Sequence, residues 1–83
     1  MSYTMSSDGS IMQGGSFTGH KLCSDGTILK GGCDTGYRIG GDGMLMRGGC
    51  DTGYTINYDG SVMRHGSFTS YTKEELICRI PYI

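Results

Sequence analysis

The sequence predicts an all-β fold, an open tandem array of four 17-residue β-hairpin repeats with a short C-terminal capping segment. The first observation is an Asp-Gly dipeptide that returns at constant spacing. The second is alternation of apolar and polar residues on both sides of it, and the third is a glycine-rich segment that ends each unit. Repeating units of this kind bury their apolar faces against their neighbours. The dipeptides are Asp8-Gly9, Asp25-Gly26, Asp42-Gly43 and Asp59-Gly60.

Within a unit, two short alternating segments flank the Asp-Gly turn. Residues 37–39 and 54–56 alternate as half-buried strands do, and the apolar segments 44–47 and 61–64 form the return strands. Asp-Gly between two such runs is a strong hairpin signal because glycine adopts positive φ without strain. We therefore expect a single domain over residues 1–83, with repeats at 2–18, 19–35, 36–52 and 53–69 and a cap at 70–83. Two strands per repeat predict eight strands, arranged either as a solenoid or as a meander sheet.

The first and last repeats differ from the inner two at one matched position. The inner repeats read Cys-Asp-Thr where the outer two read Ser-Phe-Thr, at 16–18 and 67–69. In an open array the end units lack a neighbour, so their sequences diverge. The pattern favours an open array over a closed ring and predicts that Phe17 and Phe68 cover its two ends. Drift between copies is the alternative.

The repeat pattern stops after Thr72. Thr72 and Glu75 have the spacing of a capping box, which predicts a short helix, although the alternation of Leu76, Cys78 and Ile80 is also typical of a strand. A tail this apolar needs a surface. It covers either its own chain or a second copy, in which case residues 76–83 hold a homo-oligomer together.

Composition excludes several function classes. Seven basic and eight acidic residues give a net charge of −1 without a charged block, which argues against nucleic-acid binding. No apolar run is long enough for a membrane span. The N-terminus lacks the features of a secretion signal, so a cytoplasmic location is expected, with an extracellular one as the alternative if a signal was removed.

The chemistry-bearing residues are sparse. Cys33 and Cys50 share a repeat position, so stacked repeats would bring them near the separation of a disulfide. Reduced thiols are the favoured interpretation because the chain carries no export signal, and a Cys33–Cys50 disulfide is the alternative. Histidines at unrelated positions predict no zinc site, and one carboxylate per Asp-Gly turn favours a turn role over calcium binding. His20 near Cys23 is the one candidate catalytic pair, and it is too isolated to predict an enzyme or a cofactor.

One repeat position is aromatic and predicts a ligand-binding surface. Such rings bind a sugar, an aromatic group or a quaternary ammonium, or they stabilise the sheet by stacking on one another. A column of threonines, Thr18, Thr35, Thr52 and Thr69, is the weaker alternative, an ice-binding surface. The aromatic column consists of Tyr3, His20, Tyr37, Tyr54 and Tyr71.

The segments 3–15 and 54–66 carry an aromatic residue, Asp-Gly, an apolar pair and glycine in that order. This pattern resembles the hairpin repeats of bacterial cell-wall-binding and choline-binding modules, although those repeats are longer and usually contain tryptophan. The resemblance covers the core of all four units and implies a hairpin array with ligands lodged between units.

The sequence thus predicts a non-enzymatic binding module whose partner is a carbohydrate or a protein, held on or between the repeats by the aromatic column. The alternative is a structural repeat protein that self-associates through its end repeats and its C-terminal tail.

Overall fold

The computed structural model describes residues 3–80 and 82, so Ser2 at the start of the first repeat and two residues of the predicted tail contact lie outside it. The chain forms nine antiparallel strands and one helix. The strands are β1 (Tyr3–Met5), β2 (Ser10–Gln13), β3 (Ser16–Leu22), β4 (Thr27–Lys30), β5 (Cys33–Ile39), β6 (Met44–Arg47), β7 (Cys50–Ile56), β8 (Ser61–Arg64) and β9 (Ser67–Thr72), and the helix is α1 (Lys73–Arg79).

Each strand pairs with its neighbour in sequence, so the sheet is a meander with the order β1 to β9. The sheet curls into a half-barrel, and α1 contacts β1, β3, β8 and β9. The prediction of an all-β open array is confirmed, and the choice between solenoid and meander falls to the meander. The prediction of eight strands is wrong, because the segment after the fourth repeat's second turn continues as a ninth strand.

The core lies on the inner face of the half-barrel. The residue three positions after each turn aspartate is fully buried, at Ile11, Ile28, Leu45 and Val62. Leu76, Ile77 and Ile80 from the tail are also fully buried and belong to the same cluster. Burial of such side chains stabilises the fold by about 1.5–3 kcal/mol each. The tail therefore covers its own chain, and of the two structures predicted for it the helix is the one that forms.

The capping box predicted at the start of α1 is present. The Glu75 amide donates to Thr72 Oγ1 at 3.3 Å, and the Thr72 amide donates to Glu75 Oε1 at 3.3 Å. Both bonds satisfy amides that the first helical turn leaves unpaired.

Two kinds of turn alternate along the meander. At the Asp-Gly turns, the aspartate Oδ1 accepts the amide two residues on, at 3.0 or 3.1 Å in all four repeats. At the second turns, both central residues have positive φ, as a two-residue hairpin loop requires. Three of these turns are Gly-Gly, and the last is His65-Gly66, which places His65 at φ 50°.

Phe17 and Phe68 do not cover the ends of the array. Register places them opposite Met12 and Met63 on the outer face of the sheet, where Phe17 is 57% and Phe68 73% exposed. Phe17 also lies on β3 and not on an edge strand, so the prediction that both cap the stack is wrong.

Candidate functional site

The aromatic column lies on the inner face, on the odd-numbered strands. Tyr37 and His20 are buried at 3% and 5% exposure, while Tyr3, Tyr54 and Tyr71 are half-buried and pack against the core. Because a repeat is two strands wide, Tyr37 and Tyr54 are separated by β6, at least ~9.5 Å of sheet. The rings share one surface, as predicted, but the expectation that they stand side by side is wrong.

A basic or amide side chain lies opposite each of the first four rings of the column. Register places Gln13 opposite Tyr3, Lys30 opposite His20, Arg47 opposite Tyr37 and Arg64 opposite Tyr54. Directly opposite residues on antiparallel strands point to the same face. The inner face therefore alternates rings with hydrogen-bond donors instead of stacking ring on ring.

Four cations lie over tyrosine rings on this face. Arg47 is 5.7 Å from the centroid of Tyr37, and Arg64 is 5.5 Å from that of Tyr54. Arg79 of α1 lies 4.4 Å from the ring of Tyr71, and Lys30 lies 4.8 Å from that of Tyr82. All four distances are within the ~6 Å of a cation–π contact. Sequence reasoning missed these cations, although the position ten residues after each of the first four ring positions reads Gln, Lys, Arg, Arg.

A groove opens between the second and third cation-bearing hairpins. We call it the central groove. It has a volume of about 600 Å³, and its lining residues are Tyr37, Arg47, Gly48, Cys50, Asp51, Thr52, Tyr54 and Arg64. The size is that of a small-ligand site. Two other grooves lie near Gly36 on the outer face and along the Asp-Gly turns. The first is lined by one ring of the aromatic column, Tyr37, and the second by none.

The electrostatics of the central groove are dominated by its arginines. Both are exposed, and within residues 3–80 and 82 no salt bridge or hydrogen bond engages either guanidinium. One carboxylate, that of Asp51, also lines the groove, against two guanidinium groups; Asp51 lies opposite Met46 on the neighbouring strand and accepts the Gly53 amide at 2.7 Å. The groove is therefore positive although the chain carries a net charge of −1.

The aspartates of the Asp-Gly turns stabilise those turns through side-chain hydrogen bonds to the backbone. Hydrogen bonds from the amide and side chain two residues on lower the pKa of the Asp8, Asp25 and Asp59 carboxyls, all of which are solvent-exposed. Among the described residues no group of three or more His, Cys, Asp or Glu side chains is arranged to hold a metal ion.

His20 is fixed by the helix and not by Cys23. Its buried Nε2–H donates to the Ile80 carbonyl at 2.9 Å, and its Nδ1 has no hydrogen-bond partner among the residues that the structure describes. Beside it, the Cys78 thiol donates to Thr18 Oγ1 at 3.6 Å, and burial raises the pKa of that thiol. Among the described residues no hydrogen bond joins His20 to Cys23; His20 and Thr18 instead hold the helix and its C-cap residue against the sheet.

The predicted Cys33–Cys50 disulfide is not formed. All four cysteines are free thiols, and both Cys33 and Cys50 are exposed. They lie on β5 and β7 with β6 between them, so their separation is about two strand spacings, ~9.5 Å or more, which exceeds disulfide reach. The reason is the same as for the rings: equivalent positions are two strands apart, not one.

The threonine column serves the backbone. In each repeat the threonine Oγ1 donates to the carbonyl of the buried aliphatic residue seven positions before it, at 2.7–3.0 Å. The same oxygen accepts the amide two residues on, at 3.2 or 3.3 Å. These bonds bridge the bulge where the register shifts, so the hydroxyls are not a free surface array.

Comparison of the chain with protein-family models, curated proteins and solved structures finds no match in any of the three. The resemblance to cell-wall-binding repeats therefore rests on the residues alone. In the described part of the chain, the helix is too short and too polar to cross a bilayer.

Proposed function

We propose that this protein is a non-enzymatic binding module that holds a carbohydrate in the central groove. The observation that carries the proposal is the pairing of Arg47 with the Tyr37 ring and of Arg64 with the Tyr54 ring at the two sides of one groove. A cation–π contact restrains each guanidinium beside its ring, and the group still has five N–H donors to offer a ligand. Such donors suit the hydroxyl groups along the edge of a sugar.

Groove size favours a carbohydrate over a folded protein partner. A stable protein interface buries ~800 Å² on each side, whereas the whole described chain exposes 5008 Å² and the groove occupies a small part of it. The quaternary ammonium of choline is a poorer fit, because the face of a tyrosine ring that would receive it already carries a guanidinium.

A groove-filling substitution tests the proposal. Cys50→Trp places an indole in the central groove, and Cys33→Trp is the matched control because Cys33 has the same repeat position, is also exposed and lies outside the groove. We expect binding to a glycan array to be lost in Cys50→Trp and retained in Cys33→Trp. Equal binding by both variants would reject the groove as the site.

Self-association is the second candidate, and the exposed Phe68 on edge strand β9 favours it. The tail is a weaker contact than predicted, because Leu76, Ile77 and Ile80 are already buried against their own sheet. Light scattering over a range of concentrations separates the two functions. Association that is lost in Phe68→Ser and kept in Phe17→Ser supports this candidate, and a monomer at all concentrations rejects it.

A further inference from the structure

We infer that the ligand is a linear polysaccharide with acidic groups at regular intervals, bound along the cation row formed by Lys30, Arg47 and Arg64. This inference rests on the proposed function and names its ligand class. It begins from the distribution of charge. Of seven basic residues, these three lie on the inner face at one repeat position, and Arg79 extends the row over Tyr71.

Among the described residues, one carboxylate lines the groove between Arg47 and Arg64, that of Asp51, and its Oδ1 accepts the Gly53 amide and forms no salt bridge with either arginine. The eight acidic residues lie at the Asp-Gly turns, on the outer face at Asp34 and Asp51, and at the start of α1. Each member of the row is exposed. The charges are thus neither neutralised within the described chain nor screened by burial, and a carboxylate or sulfate would form charge-assisted hydrogen bonds with the two guanidinium groups.

The spacing of the row selects a polymer. Lys30, Arg47 and Arg64 lie on β4, β6 and β8, so the strands that carry neighbours in the row are two strand spacings apart, ~9.5 Å measured along the sheet. A single sugar ring cannot bridge that distance. A chain with an acid on alternate sugars can present one charge to each repeat, and simultaneous contacts raise affinity through effective concentration.

The same spacing disfavours nucleic acid. Duplex phosphates follow one another at ~3.4 Å of axial rise per strand, far closer than the cations of the row. Single-stranded nucleic acid needs open aromatic faces for its bases, and Tyr37 is 3% exposed while Arg64 lies over Tyr54. The net charge of −1 also opposes unselective binding of polyanions.

Calorimetry with oligosaccharides of alternating uronic acid and neutral sugar, two, four or six sugars long, tests the inference. We expect affinity to rise with length, and neutral oligosaccharides of equal length to bind at least about tenfold more weakly. Arg47→Gln and Arg64→Gln should each weaken binding of the hexamer by about five- to tenfold and lower the dependence of log K on log salt by about one unit. Arg38→Gln is the control, because it removes the same charge from the exposed outer face.

Three outcomes overturn the inference. If neutral oligosaccharides bind as tightly as acidic ones and Cys50→Trp abolishes that binding, the acidic ligand class is refuted and the proposed function stands. Tighter binding of single-stranded DNA or of a poly-glutamate peptide would assign the cation row to another polyanion. Absence of any saccharide binding would refute both proposals. Circular dichroism of each variant checks that these exposed substitutions leave the fold intact.

Discussion

The inner repeats and the last repeat make the same backbone bond in two different surroundings. In the inner repeats, the Gly26 carbonyl accepts the Ile39 amide and the Gly43 carbonyl accepts the Ile56 amide, at 2.9 and 2.8 Å. In the last repeat the Gly60 carbonyl accepts the Lys73 amide at 2.9 Å, but Lys73 begins the helix instead of ending a strand that leads into another hairpin.

The difference teaches that these glycines are required for two separable reasons. All have φ near 90°, which side chains other than glycine rarely adopt. A Cβ on Gly43 would also lie 2.3 Å from the Ile56 carbonyl oxygen, whereas nothing lies within 4 Å of a Cβ on Gly60. Among the described residues, the turn glycine therefore lies close to a backbone carbonyl of the next unit only where another hairpin follows. At Gly60 the helix follows instead, and its carbonyl groups point along the helix axis and away from the glycine.

The largest expected effect separates those two reasons. Gly43→Ala should lower the free energy of unfolding by about 4 kcal/mol. The new Cβ adds a steric clash with the Ile56 carbonyl oxygen to the strain of a positive φ, and the next unit must shift to relieve the clash. Gly60→Ala should cost about 1–2 kcal/mol, the strain alone. Urea denaturation of both variants measures the difference. Equal losses would show that the two turns are not distinct.

The second prediction concerns the helix that replaces a fifth unit. Leu76 is fully buried, and Leu76→Ala should cost about 3 kcal/mol through lost burial and the cavity that remains. The control is Leu29→Ala on the half-buried outer face, for which a smaller loss is expected. If both changes cost the same in thermal and urea unfolding, the helix is not part of the core.

Much of the array follows from the sequence because its signals are local. The Asp-Gly hairpins, the four units and the Thr72 capping box each depend on residues within a few positions of one another, and all are present. The tail was ambiguous between helix and strand because Leu76, Cys78 and Ile80 also alternate, and only the sheet beside it decides that it folds onto its own chain.

The candidate site was predicted less well because repeat position does not give cross-strand distance. A 17-residue period places Tyr37 and Tyr54 in equivalent environments, but the two-strand width of each unit inserts Arg47 between them. The expectation that Cys33 and Cys50 lie within disulfide reach is wrong for the same reason. The bulge at each threonine also had no sequence signal beyond the Thr-Gly pairs of the first three repeats.

The third prediction compares an inner threonine with a surface one. Thr52→Val should cost about 2 kcal/mol, because the Leu45 carbonyl and the Tyr54 amide both lose their partner in a partly buried bulge. Thr55→Val makes the same replacement of a hydroxyl by a methyl group on the outer face, where the Thr55 hydroxyl donates to the Met44 sulfur. It should lower the free energy of unfolding by less than about 0.5 kcal/mol. Amide hydrogen exchange of Tyr54 should rise only in Thr52→Val.

The smallest expected effect is the acid response of the exposed turns. The pKa of the Asp25 carboxyl is lowered below its ordinary 3.8 by the Thr27 amide, so its stabilising contribution is present above that pH and is lost as pH falls through the folded value. Asp25→Asn retains an acceptor oxygen but cannot titrate. Its stability should therefore fall less than that of the unmodified protein between pH 4 and pH 2, and parallel curves would contradict the assignment.

The contact of one short helix with both ends of the sheet fixes how many units the chain accommodates. Seven residues of α1 span only ~10 Å, yet the helix contacts β1 and β3 from the first half of the sheet and β8 and β9 from its last part. An inserted fifth unit would lengthen the arc beyond this span, and a deleted one would leave the helix no room. Duplication of one repeat would therefore require a change in the C-terminal helix as well, because the length of that helix limits the number of repeats in the sheet.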